Sequence, residues 1–115
     1  MKISKITDKE IVFNNGRIIT FDHAQDCCEW NYADFKYLKD EAGILNYEFP
    51  EELNFEVVKG KGDNDRGAGF RFGDKKGYMF FVPCYSEQNG YYTCDIDIYY
   101  MGKEVLSLSA EFIGY

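Results

Sequence analysis

Histidine, tryptophan and proline are scarce in this sequence, with one, one and two copies among 115 residues. A lone histidine, His23, leaves a single imidazole for proton transfer near neutral pH and no second one for a paired metal site. Long apolar runs are absent: nothing approaches the roughly 18 residues of a membrane span, and the opening MKISKITDKE lacks the apolar stretch of a signal peptide. The expectation is a cytoplasmic protein with no membrane contact. Cys27, Cys28, Cys84 and Cys94 do not form the spaced framework of a secreted disulfide domain, so all four are expected as thiols.

Large aromatic side chains and turn formers are plentiful. Ten Tyr and ten Phe bury much area each, and eleven Gly supply turns. The length suits one domain with one core, spanning residues 1–115. EIVFNNGRIITF predicts a hairpin around a type I′ turn at Asn15-Gly16. Alternation through it places Ile11, Phe13 and Ile18 on one face and Val12, Ile19 and Phe21 on the other, as in a sheet covered on both sides.

DHAQDCCEW gathers the densest set of reactive groups. Asp26 and Glu29 have capping-box spacing, which predicts a helix from Cys27 to about Lys39 with Trp30, Phe35, Tyr37 and Leu38 on its inner face. Asn31 and Asp34 fall inside that apolar arc and need hydrogen-bond partners or a rim position. Residues 40–54, with Pro50 among glutamates, read as an irregular acidic connection. The rest reads as a meander of GFRF, YMFFVP, YYTCDIDIYY and EVLSLSAEF. A three-residue loop Met101–Lys103 places Ile96 and Ile98 opposite Leu108 and Leu106; a slip of one residue would move a whole apolar set to the wrong face. The fold class that follows is α+β, one helix packed on a mostly antiparallel, curled sheet of about six or seven strands.

Several chemistries fail on spacing. His23 with Cys27, Cys28, Cys84 and Cys94 offers zinc-ligand types without paired knuckles, and Asp22, Asp26 and Glu29 work against a thiolate at Cys27 or Cys28. DNDRGAGFRFGD places Asp63 and Asp65 as in a calcium loop, but Gly67 and Ala68 stand at its fifth and sixth positions. GKGDNDRG lacks the GxxxxGK[ST] of a phosphate loop. No catalytic residue, cofactor or metal is expected, and a cysteine or zinc enzyme ranks third among the functions.

Charge is uneven. Residues 21–56 carry ten acids against Lys36 and Lys39, a balance of −8, and the whole chain carries −7. This predicts a lopsided molecule whose negative side meets a basic partner surface. Asp22, Asp26, Glu29, Asp34, Asp40, Glu41 and Glu87, with Tyr85 and Tyr91 of YSEQNGYY, are the expected partner-binding residues. The alternative is a nucleotide-type pocket of Tyr85, Tyr91, Tyr92 and Arg71.

DHAQDCCEWNYADF, GFRFG, FFVPCYSEQNGYY and DIDIYY together resemble a family of small uncharacterised proteins of Gram-positive bacteria, phages and prophages with a DHxQDCCE signature. The resemblance spans most of the chain and implies a genomic setting rather than a chemistry. With the charge map, it implies a phage or mobile-element accessory protein that binds, and inhibits, a host nucleic-acid-processing or defence protein, as an anti-CRISPR protein does. Such a protein is not expected to be an enzyme or to contact nucleic acid directly.

Overall fold

The computed structural model describes residues 1–22, 30–59, 68–88 and 94–114. Ten strands occupy it: β1 (Ile3–Ile6), β2 (Glu10–Phe13), β3 (Ile18–Asp22), β4 (Trp30–Ala33), β5 (Asn54–Val58), β6 (Gly69–Gly73), β7 (Met79–Gln88), β8 (Asp95–Tyr100), β9 (Lys103–Ser109) and β10 (Glu111–Gly114). They form two five-stranded sheets. The first runs β1-β2-β3-β8-β9; in the second β5, β6 and β7 pair in turn, and β4 and β10 both pair with β7. All pairings are antiparallel except β10 with β7. Ile11, Ile19, Ile96, Ile98 and Leu108 of the first sheet share one buried cluster with Phe70, Phe72, Phe80, Val82 and Cys84 of the second.

This corrects the expected α+β class. The described residues contain two sheets and no α-helix; their only helical pieces are 3-10 turns at Phe35–Asp40 and Ile44–Asn46. The expected helix is replaced by β4, in which Trp30 is exposed, Asn31 buried, Tyr32 half-buried and Ala33 buried. That is the two-residue period of a strand, and Trp and Tyr favour it. The proposed cap, Asp26 and Glu29, lies outside the described residues.

The first hairpin keeps its place but not its turn. Gly16 has φ of 88°, whereas Asn15 is not in the left-handed region. Phe13 and Arg17 close the loop through a 2.9 Å N–H···O bond, and Gly16 N–H donates to the Phe13 carbonyl at 3.0 Å. A type I turn followed by a left-handed glycine gives one more loop residue than type I′ does. Ile11 therefore pairs with Ile19 and Val12 with Ile18, so Ile11, Phe13 and Ile19 are buried while Val12 and Ile18 are half-exposed. Only one face of the hairpin is covered.

The expected register of β8 and β9 holds: Ile96 pairs with Leu108 and Ile98 with Leu106. The loop that produces it is different. Tyr100 pairs with Lys103, so the turn is the two residues Met101-Gly102, with φ of 57° and 77°. A bulge at Val105, between the Tyr99–Glu104 and Ile98–Leu106 pairs, supplies the extra residue that keeps the leucines inward.

β7 continues through Pro83. Proline has no N–H to donate, and its carbonyl accepts from Asp34 N–H at 2.8 Å. The next N–H, Cys84, donates to Ala68 on the β6 side at 3.0 Å. From there β7 runs on to Gln88 between β4 and β10.

Candidate partner-binding face

β4 and β10 flank the same half of β7, and the registers set a grid of side chains on its outer face. Trp30 stands opposite Glu87, and Glu87 opposite Ile113; in the next row Tyr32 stands opposite Tyr85, and Tyr85 opposite Glu111. Neighbouring strands lie about 4.8 Å apart, so these side chains are close neighbours. The Trp30 and Tyr32 rings are 4.9 Å apart and the Tyr32 and Tyr85 rings 5.7 Å apart. Tyr37, from the first 3-10 turn, meets Phe81 of the same face edge-on at 6.1 Å. Trp30 is 57% exposed and Ile113 37%. Residues alternate along a strand, so the opposite sides of β4 and β7 carry Asn31, Ser86 and Gln88, all fully buried.

Those three form a hydrogen-bonded chain under the aromatic row. Ser86 Oγ donates to Asn31 Oδ1, and Gln88 Nε2 donates to Ser86 Oγ at 2.7 Å and to Cys94 Sγ at 3.6 Å. Asn31 Nδ2 reaches the Asp95 carbonyl at 3.1 Å, which ties the second sheet to the first. The network fixes which residues of β4 face outward. A slip of one residue would bury Trp30 and expose Asn31.

Carboxylates surround the rings. Burial raises the Tyr85 phenol above the ordinary tyrosine range, and the charges of Asp34 and Glu111 raise it further. Burial likewise raises Tyr32, followed by the charges of Glu87 and Asp34. Among the described residues, neither Asp34 nor Glu111 forms an ion pair. Beside the row lies a cleft of about 290 Å³ lined by Phe21, Trp30, Tyr32 and Asp34 together with Asp8 and Lys9. Asp8 itself is held by Lys36 at 2.6 Å.

The structure brings together Asp34, Tyr85 and Glu87 of the expected residues. Asp22 lies in the other sheet, opposite Asp97. Asp40 ends the first 3-10 turn and Glu41 caps it through its N–H to the Leu38 carbonyl. Asp26, Glu29 and Tyr91 lie outside the described residues, as do His23, Cys27, Cys28 and Tyr92. The expectation of a single negative side is corrected as well. Acids from one sequence segment reach both sheets, and several are already paired: Glu48 with the N-terminal ammonium, Glu51 with Arg17 at 3.5 Å, and Glu56 with Arg71 Nε at 2.7 Å and Lys75 at 3.7 Å. Trp30, Tyr32 and Glu111 were not singled out by sequence reasoning. The alternation in WNYA was the available signal for the first two.

The other chemistries find little support in the described residues. Arg71 lines a separate cleft of about 380 Å³ with Glu56, Lys75 and Tyr78, away from Tyr85. Cys84 is fully buried, and burial pushes its thiol far above the ordinary range, which opposes a nucleophilic role. No cluster of three metal-ligating side chains occurs among the described residues.

A family model described as a domain of unknown function, DUF7448, matches residues 1–98. The chain belongs to the DUF7448 family. The matched residues include Trp30, Tyr32, Asp34, Tyr85 and Glu87; β9 and β10, with Glu111, follow them. Comparison with curated proteins and with solved structures gives no match. No helix among the described residues is long and apolar enough to cross a membrane.

Proposed function

We propose that this DUF7448 protein acts by binding rather than catalysis, docking the outer face of β4, β7 and β10 on a basic surface of another protein. The observation that carries this is the Trp30–Tyr32–Tyr85 row, exposed at Trp30 and half-buried at both tyrosines, with Asp34 and Glu111 beside it. Aromatic side chains with few rotatable bonds are the usual anchors of protein interfaces. Carboxylates placed around them speed encounter with lysine and arginine and select against acidic partners. Phosphate-binding surfaces are rich in those cations, so a nucleic-acid-processing or defence protein of the host fits as the target. In this reading the chain is a cytoplasmic accessory protein of a phage or mobile element and inhibits by occupying the groove, as an anti-CRISPR protein does. Direct nucleic-acid contact is disfavoured, because the same carboxylates repel phosphate.

Affinity capture from a bacterial lysate tests this, run at low salt and at several times that ionic strength with wild-type protein and a Trp30→Ala/Tyr85→Ala variant. The expected result is a nucleic-acid-binding protein held by the wild type at low salt, displaced by added duplex DNA and lost from the variant, whose melting temperature is unchanged. A wild type that holds no such protein where screening is weakest refutes the proposal.

A further inference from the structure

Resting on the docking reading, we infer that the Trp30–Tyr32–Tyr85 row recognises an arginine side chain of the partner, its guanidinium stacked on the rings and its N–H groups donated to Asp34 and Glu111. Two features of the face choose this occupant. The rings form an apolar platform, so the cation loses part of its hydration on arrival. A guanidinium is planar and weakly hydrated, while a lysine ammonium is compact and strongly hydrated, so arginine pays less for that loss. Asp34 lies just past the end of β4, at the start of the first 3-10 turn and beside Tyr32 in the adjoining cleft, and Glu111 stands opposite Tyr85 on β10, so carboxylates meet the platform from both sides of β7. A guanidinium carries five N–H donors in one plane and can serve both carboxylates, whereas a lysine offers a point charge.

Other occupants fit the face less well. A purely apolar partner would cover Asp34 and Glu111 without supplying donors, leaving desolvated carboxylates. A nucleobase could stack on the rings, but strands of nucleic acid are held in positively charged grooves, and here Asp34, Glu87 and Glu111 stand beside the rings with Lys9 the one cation among the described residues that line the adjoining cleft. The adjoining cleft of about 290 Å³ lies at the lower limit of small-ligand pockets and suits one side chain of a partner better than a nucleotide.

Trp30 is the only tryptophan in the chain, so its fluorescence reports directly on this face. The full chain is titrated with short glycine-serine peptides carrying three arginines, three lysines or three citrullines, and with oligo-dT. The expected order is arginine over lysine by about three- to fivefold, from the weaker hydration and planar donor set of the guanidinium, with no response to citrulline. An Asp34→Asn/Glu111→Gln variant, its melting temperature checked, loses most of the arginine affinity and its salt dependence. Equal affinities for arginine and lysine overturn the arginine inference; so does arginine binding that survives loss of both carboxylates, or a preference for oligo-dT. If neither cationic peptide binds yet capture of a basic protein still depends on Trp30 and Tyr85, arginine recognition falls and the docking reading stands. If capture fails too, both fall.

Discussion

Ser86 donates its hydroxyl proton to Asn31 Oδ1 across the β4–β7 pair, with both side chains fully buried. Ser86 Oγ in turn accepts from Gln88 Nε2, so one hydroxyl joins two amides. Ser86→Ala removes a partner from each while leaving their volume in place. The expected loss is about 1–3 kcal/mol in urea denaturation, the cost of a desolvated polar group left without its bond. Because Asn31 and Ser86 satisfy each other, Asn31→Ala/Ser86→Ala should cost less than the sum of the single changes.

Phe49 packs against four rings: Tyr47 at 4.7 Å, Phe13 and Phe80 at 5.5 Å and Phe72 at 5.6 Å. It is 2% exposed, although it lies on an irregular chain between the second 3-10 turn and β5. Phe49→Ala should destabilise by about 3–5 kcal/mol, measured by chemical denaturation with the slope checked for two-state behaviour.

Phe49 also shows why parts of the fold were hidden in the sequence. Residues 40–54 do read as irregular and acidic, but a core side chain on irregular chain has no neighbours at period 2 or 3.6 to reveal it. In WNYADF the usual ranking of buried residues misleads, because the strand turns Trp30 outward and Asn31 inward. Where both strands of a pair alternate cleanly, as in DIDIYY and EVLSLS, the register was legible. Asp34, Tyr85 and Glu87 could be named as candidates one by one. Their meeting depends on β4 pairing with residues more than fifty positions away, which the helix expectation excluded.

Met101 is the one residue other than glycine with positive φ among those described, at 57°. A left-handed backbone costs an L side chain roughly 1–2 kcal/mol, and asparagine relieves part of it. Half of the Met101 surface is exposed, so little packing is lost on substitution. Met101→Asn should therefore raise stability by up to about 1 kcal/mol, seen as a higher denaturation midpoint. A lower midpoint would place Met101 in a different turn.

Cys84 lies on the inner side of β7, where burial first and the Asp34 charge second disfavour its thiolate. Alkylation proceeds through the thiolate and needs access. Native protein treated with iodoacetamide should carry no label on Cys84 by peptide mapping, and full label once denatured. Labelling of Cys84 in the native state at a rate like that of a free thiol would contradict the burial.

Alkaline titration tests the aromatic face itself. The phenols of Tyr32 and Tyr85 are raised by burial and then by Glu87, Asp34 and Glu111, so in the folded chain they keep their protons to higher pH than in the unfolded one. Below about pH 10, the ordinary tyrosine value, both states are protonated and these groups add no pH dependence. Above it the unfolded chain releases protons that the folded chain retains, so stability falls as pH rises until the folded phenols ionise as well. The urea midpoint should therefore decline above about pH 10, and decline less steeply in a Tyr32→Phe/Tyr85→Phe variant. Tyr99, raised by burial and by Asp97, Glu104 and Asp22 on the other sheet, remains in that variant and retains part of the slope. If the variant and wild-type slopes coincide, the carboxylates are not close enough to the two rings to act on them or on an arriving cation.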